Sequence, residues 1–186
     1  AGIDIPRGVT APTLSALDPG ALRAPFALKG LGFAHKTEAG AVRLNVIDPA
    51  QEPQMPGAEG YLLEEMVTGG IAEVLLGLRR DPVYGATLTL GLGGTTAELL
   101  ADTVTLVAPV SAPQLAEALG TLRLWPLLDG WRGRPKADTG AILAVALALQ
   151  DLMQGQPDLE EIEINPLIVK ETGATAVDAV IWRKSP

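Results

Sequence analysis

The segment EIEINPLIV alternates apolar residues with residues that could do chemistry. Glu163 and Asn165 are two positions apart, so they share one face if the segment is a strand. Asp178 lies in the next apolar segment, AVDAVIW, and a hairpin turning around Gly173 would place it almost opposite Asn165. Two carboxylates and an amide oxygen are hard oxygen ligands, a set that suits magnesium carrying a nucleotide polyphosphate.

The same alternation has a simpler interpretation. Carboxylates and amides along one strand face are also typical of a solvated polar surface, and the pattern alone favours that interpretation over a metal site. Pro166 removes a backbone donor, so we expect it at a strand end or on an edge strand. The choice between surface and site therefore depends on the rest of the chain.

Two basic residues stand in settings that suit a phosphate. His35, the only histidine, lies in the Gly-flanked segment GFAHKTEAG, and a neutral imidazole can accept a phosphoryl group near pH 7. A lone histidine is, however, usually incidental. Lys29 lies within the apolar segment PFALKGL, where its burial is costly unless an anion meets it. A strand-end lysine that reaches water is the alternative.

Glycine-rich and arginine-rich segments are weaker candidates. LGLGGTTAELL could bring backbone close to a phosphate, but it matches neither a Walker loop nor a dinucleotide fingerprint, so a tight turn is the favoured interpretation. Arginine suits phosphate recognition, and we include Arg79 of LRRDPVYG among the predicted nucleotide contacts. A charged hairpin tip explains that arginine equally well. GWRGRP is a further anion candidate of modest specificity.

The elements that would position these residues are mostly strands. Apolar segments bounded by Gly, Pro and Asp predict several strands, including a hairpin across LRRDPVYG. Helical spacing predicts a helix that begins at Ser111, a strongly apolar helix from Thr139 to Met153, a short helix over 95–101 and a weak one over 12–24. This order predicts an α+β fold, with antiparallel sheets and helices packed on one face.

Composition bounds the class of protein. The 186 residues are 47% apolar, which is globular and suits one domain or one two-lobed domain. The net charge of −8 and the lack of a basic run argue against nucleic acid or an anionic membrane as partner. The absence of cysteine excludes disulfides and thiolate chemistry and fits a reducing cytoplasm. The longest apolar run is too short to span a bilayer, and the first residues do not read as a signal peptide.

The order of these segments resembles a known family. FALKGLGFAHKTEAGAVRLNV, YLLEEMV, RRDPVYG, GWRGRP and EINPL followed by VDA are similar to the ATP-grasp domain of the NDP-forming acyl-CoA synthetases. That group includes ADP-forming acetate–CoA ligases and, more distantly, the β subunit of succinyl-CoA synthetase. The resemblance covers nearly the whole chain. It implies a single ATP-grasp domain over residues 1–186, with a shortened first lobe over 1–63 and a second lobe over 64–186.

The resemblance also implies roles. In this family ATP and Mg²⁺ bind between two lobes, and a phosphoryl group passes between nucleotide and acyl phosphate by way of a phosphohistidine. By motif, Asn165 and Asp178 match the magnesium ligands, Glu163 matches the glutamate that orients the phosphohistidine, and His35 matches a proposed second phosphoryl carrier. The matching nucleotide contacts are Lys29, Glu64, Glu65 and Glu73.

Some positions depart from the family pattern. Ala41 replaces a glycine, and its β-carbon is expected to crowd a phosphate. The segments 12–24 and 48–60 are shorter than usual, and the CoA-binding domains and principal phosphohistidine are expected on a partner subunit or elsewhere in a longer polypeptide. Two functions follow. The chain is predicted to be the nucleotide-binding subunit or domain of an ADP-forming acyl-CoA synthetase. The alternative is a degenerate ATP-grasp module that binds nucleotide or a protein partner without turnover.

Overall fold

A computed structural model describes residues 2–33, 40–95 and 97–184, and the chain divides into two compact units. The smaller unit is Pro6–Thr68, and the larger one combines Ala1–Ile5 with Gly69–Pro186. The division falls after residue 68, not after residue 63. The reason is that the strand Gly60–Glu65 pairs within the sheet of the smaller unit, which therefore includes Glu64 and Glu65.

The smaller unit is a four-stranded antiparallel sheet. Its strands are β1 (Gly8–Ala11), β2 (Phe26–Leu31), β3 (Val42–Val46) and β4 (Gly60–Glu65), in the order β1-β4-β2-β3. The predicted helix over 12–24 is wrong, because this stretch holds only a 3-10 turn at Leu14–Ala16 before Pro19 and Gly20. One face of the sheet forms a core of Leu14, Phe26, Leu28, Ala41, Val46, Met55, Tyr61 and Leu63.

The larger unit is built on a second antiparallel sheet. Its strands are β5 (Ala72–Asp81), β6 (Gly85–Leu92), β7 (Thr103–Val107), β8 (Leu159–Val169), β9 (Ala174–Ala176) and β10 (Ala179–Arg183). The order is β10-β8-β5-β6-β7, and β9 also pairs with β8. The predicted hairpin across LRRDPVYG is confirmed as β5–β6, where the Asp81 carboxylate accepts hydrogen bonds from the backbone of Val83 and Tyr84.

Helices cover one face of this sheet. They are α1 (Ala97–Leu100), α2 (Ala112–Thr121), α3 (Trp125–Leu128) and α4 (Thr139–Gly155). Ala and Leu dominate α4, which favours a helix, and Ile142, Ala146, Leu149 and Met153 repeat at helical spacing on its buried side. These side chains pack on the inward residues of β5 and β8. The predicted α+β fold with helices on one sheet face is confirmed. None of the described helices is long and apolar enough to cross a bilayer.

Two polar anchors hold α4 against β8. Asp138, the N-cap of α4, accepts hydrogen bonds from the backbone of Ala141 at 3.0 Å and of Gly173, in the β8–β9 turn, at 2.8 Å. At the other end of α4, Arg80 donates to the carbonyl oxygens of Met153, Gln156 and Leu159. Both ends of the helix are therefore tied to the strand that carries the candidate site.

Strand β8 is irregular at Asn165 and Pro166. Along β5, Val74 pairs with Leu167 and Leu76 pairs with Ile164, so β8 has one extra residue there. The expectation of a strand end or an edge strand for Pro166 is wrong, because β8 is a central strand between β5 and β10. The bulge accommodates the missing N–H of proline, since a bulge already leaves one residue out of the hydrogen-bond ladder.

Candidate functional site in the larger unit

Asn165 and Asp178 lie next to each other at the β8 bulge. The N–H of Asn165 donates to the carbonyl oxygen of Asp178 at 3.1 Å, as the predicted hairpin requires. The strand that follows Gly173 is split into β9 and β10, and Asp178 lies in the break between them. Both side chains are half-buried. The hairpin therefore brings an amide and a carboxylate to one irregular point of the sheet.

The glycine-rich segment after β6 reaches the same point. The backbone N–H of Gly94 donates to Oδ1 of Asn165 at 2.8 Å. The carboxylate of Glu73, at the start of β5, lies against Gly94, because a β-carbon on Gly94 would stand 1.8 Å from Oε2 of Glu73. Three residues far apart in the sequence are thus in contact: Glu73, Gly94 and Asn165.

The neighbouring glycines have a structural explanation. A β-carbon on Gly91 would lie 2.3 Å from the carbonyl oxygen of Asp102, and one on Gly93 would lie 2.6 Å from the carbonyl carbon of Val74. Both positions are crowded by backbone, so glycine is required for packing. This supports the interpretation of LGLGG as a tight structural turn over that of a phosphate loop. The sequence did not indicate that the N–H of Gly94 donates to the side chain of Asn165. A pair of glycines does not by itself predict such a hydrogen bond.

The helix-free face of the sheet continues the polar surface. Glu163 on β8 lies opposite Gly77 on β5 and Val180 on β10. Gly77 has no side chain, and a β-carbon there would approach nothing closer than Thr89 at 3.9 Å. Space is therefore open beside the Glu163 carboxylate on its β5 side. Glu163 shares this face with Glu73.

Arg79 and Glu161 form the next cross-strand pair along this face. Their side chains approach at 3.9 Å between Nε and Oε2, and the arginine side chain is 70% exposed. An exposed pair at this distance contributes little to stability. The guanidinium of Arg79 is consequently available to an anion, whereas Arg80 next to it is committed to three carbonyl oxygens.

The donor set at the bulge fits magnesium. Among the residues that the structure describes, no three His, Cys, Asp or Glu side chains converge. Magnesium does not require such a cage, since it commonly binds one or two protein oxygens and completes its shell with water and substrate phosphates. Oδ1 of Asn165 retains a second lone pair after accepting from Gly94, and Asp178 supplies a carboxylate.

Candidate site residues in the smaller unit

Lys29 and Glu64 form a buried ion pair on the sheet of the smaller unit. Their Nζ and Oε2 atoms are 2.6 Å apart, and the residues are only 6% and 9% exposed. Among the described residues, no donor makes a hydrogen bond of good geometry to Oε2 of Glu64. The contact with Lys29 is therefore a close ion pair that lacks hydrogen-bond geometry. A buried Lys29 was expected to contact an anion, and within this unit that anion is the carboxylate of Glu64.

Glu65 follows on the same strand and is held differently. Its carboxylate accepts a hydrogen bond from the backbone of Arg23 at 3.0 Å and lies 3.6 Å from the guanidinium of Arg7. The backbone N–H of Glu65 donates to the carbonyl oxygen of Arg7. These bonds fasten the end of β4 to the segments before β1 and β2.

The remaining candidates of this unit are His35 and Ala41. His35 lies outside the described residues. Ala41 is 1% exposed, and its methyl group belongs to the core of the smaller unit, where Gly30 and Met55 also pack. The β-carbon of Ala41 therefore fills core space.

Relationship to known proteins

Two antiparallel sheets, with helices on one face of the larger sheet, define an α+β fold of two units. The chain belongs to the ATP-grasp family: residues 20–182 match the family model described as ATP-grasp domain.

Two similar curated proteins are archaeal ligases. Over 157 residues the chain is 34% identical to the ADP-forming acetate–CoA ligase I of Archaeoglobus fulgidus. The matched region covers 77% of this chain and 23% of that protein. It is 30% identical over 158 residues to the β subunit of ADP-forming acetate–CoA ligase I of Pyrococcus furiosus, covering 78% of this chain and 68% of the subunit. The chain thus spans about a quarter of the first relative and about two thirds of the second, and it corresponds to their ATP-grasp portion.

Solved structures agree in fold. An acetyl-CoA synthetase of Ca. Korarchaeum cryptofilum, in complex with coenzyme A and Ca-AMPCP, superposes with a TM-score of 0.88 at 27% identity, over 98% of this chain and 87% of that one. A second structure of that enzyme contains Mg-AMPPCP and has its phosphohistidine segment pointing towards the nucleotide binding site, with a TM-score of 0.82 at 26% identity over 98% of this chain and 86% of that one.

Proposed function

We propose that this chain is the nucleotide-binding subunit or domain of an ADP-forming acyl-CoA synthetase. In this role it binds Mg·ATP and exchanges a phosphoryl group with a phosphohistidine on a partner subunit or domain, which also binds CoA and completes acyl-CoA formation. The observation that carries the proposal is the arrangement at the β8 bulge. Gly94 contacts the side chains of both Asn165 and Glu73, and the backbone N–H of Asn165 donates to the carbonyl oxygen of Asp178.

Each residue of the cluster has one task. Asn165 and Asp178 hold the magnesium ion through oxygen atoms, and Glu73 contacts the nucleotide. Magnesium neutralises the negative charge of the polyphosphate, so the protein groups mainly position and screen charge. Glu163, on the open face of β8, orients the incoming phosphohistidine through its carboxylate.

Residues of the smaller unit supply further nucleotide contacts. Lys29 binds a phosphate, and in the structure its ammonium is held by Glu64. Glu64 and Glu65 stand at the end of β4, which the family resemblance assigns to the base and ribose. Arg79 adds a solvent-exposed positive charge on the larger sheet, and His35 is a second phosphoryl carrier. A cytoplasmic location completes the proposal.

A calorimetric titration separates this proposal from a module that has lost its nucleotide. Wild type is titrated with ATP in the presence of Mg²⁺ and again with EDTA. We expect binding that depends on Mg²⁺ and a loss of that dependence in Asn165→Ala. Asn165→Asp keeps an oxygen acceptor for Gly94 and a metal ligand, so it retains Mg²⁺-dependent binding. The absence of binding heat in the wild type would remove the proposed function.

A further inference from the structure

We propose that Gly94 is a positioning residue that sets the Glu73 carboxylate and the Asn165 amide together. This inference rests on the proposed function, because it gives those two side chains their roles toward Mg·ATP. It adds a residue without a functional side chain, whose Cα and N–H determine where two functional side chains lie. Three contacts support it.

The first contact is between Gly94 and Glu73. Gly94 has a φ of +77°, a left-handed conformation that glycine adopts without strain. A β-carbon there would lie 1.8 Å from Oε2 and 3.0 Å from Cδ of Glu73. The Glu73 side chain is exposed and flexible, and its carboxylate occupies the volume that the β-carbon of any other residue at position 94 would fill. Such a residue would therefore turn the carboxylate away from Gly94.

The second contact is the hydrogen bond from the N–H of Gly94 to Oδ1 of Asn165 at 2.8 Å. It selects the orientation of the amide, because the N–H must face the oxygen and not the NH₂ group. One lone pair of Oδ1 is used and the other remains for a cation. Donors of this kind commonly orient metal ligands from behind.

The third contact anchors the segment that holds Gly94. The N–H of Gly93 donates to the carbonyl oxygen of Glu73 at 2.9 Å. The backbone of residue 73 thus holds Gly93, and the side chain of the same residue lies on Gly94. The start of β5, the end of β6 and the β8 bulge are locked to one another at this place.

A matched pair of glycine variants tests the proposal. Gly85, the first residue of β6, has a φ of +80°, and a β-carbon there would meet nothing within 4 Å. Gly94→Ala and Gly85→Ala therefore both place alanine at a similar positive φ, and only the first places a β-carbon on the Glu73 carboxylate, next to the N–H that bonds Asn165. We expect Gly94→Ala to weaken Mg·ATP binding by about 10–100-fold relative to Gly85→Ala, the range seen when groups that orient a metal ligand are removed.

A titration without Mg²⁺ distinguishes misplacement of the metal ligand from general damage to the fold, which would weaken ATP binding equally with and without Mg²⁺. We expect the loss in Gly94→Ala to be larger with Mg²⁺ than with EDTA, because the metal ligand is misplaced. If Gly94→Ala and Gly85→Ala bind Mg·ATP equally, the positioning role is refuted while the proposed function stands. If the wild type itself does not bind, both are refuted.

A double-mutant cycle in urea unfolding tests the Gly94–Glu73 contact without any nucleotide. We expect Gly94→Ala to lower the unfolding midpoint more than Gly85→Ala does, and the excess to vanish when Glu73→Ala removes the crowding carboxylate. If Gly94→Ala alone does not fold, the double variant is still expected to fold. Should Glu73→Ala fold and the double variant not fold, the carboxylate is not what requires glycine, and the inference fails.

Discussion

Nζ of Lys29 lies 2.6 Å from Oε2 of Glu64, and both residues are more than nine-tenths buried on the sheet of the smaller unit. The lysine predicted to bind phosphate thus already has a counter-charge within its own unit. Removing one member of a buried ion pair leaves the other charge without compensation, which costs far more than the loss of the pair as a whole.

We expect Lys29→Met to lower the free energy of unfolding by about 3–5 kcal/mol, because the Glu64 carboxylate is then buried alone. The double variant Lys29→Met/Glu64→Leu is expected to recover most of that loss. Urea unfolding measures both. The control is Arg7→Met, which breaks the more exposed Arg7–Glu65 pair and is expected to cost at most about 1 kcal/mol. Equal losses in Lys29→Met and Arg7→Met would contradict a stabilising role for the buried pair.

The adjacent arginines on β5 are expected to separate stability from binding. Arg80→Ala removes the hydrogen bonds to three carbonyl oxygens at the end of α4, so we expect a loss of about 2–3 kcal/mol in unfolding free energy with little effect on Mg·ATP affinity. Arg79→Ala is expected to change stability by less than about 0.5 kcal/mol, since its side chain is exposed, and to weaken nucleotide binding. Unfolding and calorimetry on both variants check this. The reverse assignment would show that Arg79 is not a nucleotide contact.

Acid stability should depend on Asp138. Hydrogen bonds from the backbone of Gly173 and Ala141 lower the pKa of its carboxyl below the ordinary value of 3.8. A carboxyl whose pKa is lower in the folded state stabilises the fold above its unfolded pKa, and this contribution disappears as pH falls through the folded pKa. We expect the urea concentration at the unfolding midpoint to decrease as the pH is lowered below about 4. The decrease is expected to be less steep in Asp138→Asn.

Asp151 on the same helix provides the control, because it is exposed and does not cap the helix. Asp151→Asn is expected to keep the wild-type pH profile. If Asp138→Asn also keeps it, the hydrogen bonds that cap α4 do not contribute to acid stability.

His35 is expected to carry a phosphoryl group. Incubated with γ-labelled ATP and a CoA-binding partner subunit, the wild type should take up acid-labile phosphate that His35→Ala does not. Phosphohistidine is labile in acid and stable in base, so the acid and base stability of the label identifies the residue type. Equal labelling of the two proteins would exclude His35 as a carrier and leave nucleotide binding untouched.

Local patterns predicted much of the fold. Helical spacing and the apolar character of 139–153 predicted α4, and alternation with turn residues predicted the β5–β6 and β8–β10 hairpins, because these elements depend on neighbours in the sequence. The helix predicted over 12–24 does not form, because its apolar pattern is weak and Pro19 and Gly20 interrupt it.

The candidate site divides along similar lines. Asn165 and Asp178 could be paired from sequence, since one hairpin joins them and its turn determines the register. Lys29 and Glu64 could not be paired, because they are 35 positions apart on strands whose register depends on the packing of the whole small sheet. The bulge at Pro166 was not predicted either, because a proline in the sequence does not indicate whether its strand is central or at an edge of the sheet.

The α+β class, the family resemblance and the residue types available for magnesium and phosphate could all be predicted from the order of residues along the chain. These properties follow from local periodicity and from motifs written along the chain. The folded structure was needed to show that Gly94 contacts both Glu73 and Asn165, and that Arg80 bonds a helix end while Arg79 stays exposed. Such assignments depend on distances between segments that are remote in sequence, and those distances are set by the packing of the sheet as a whole.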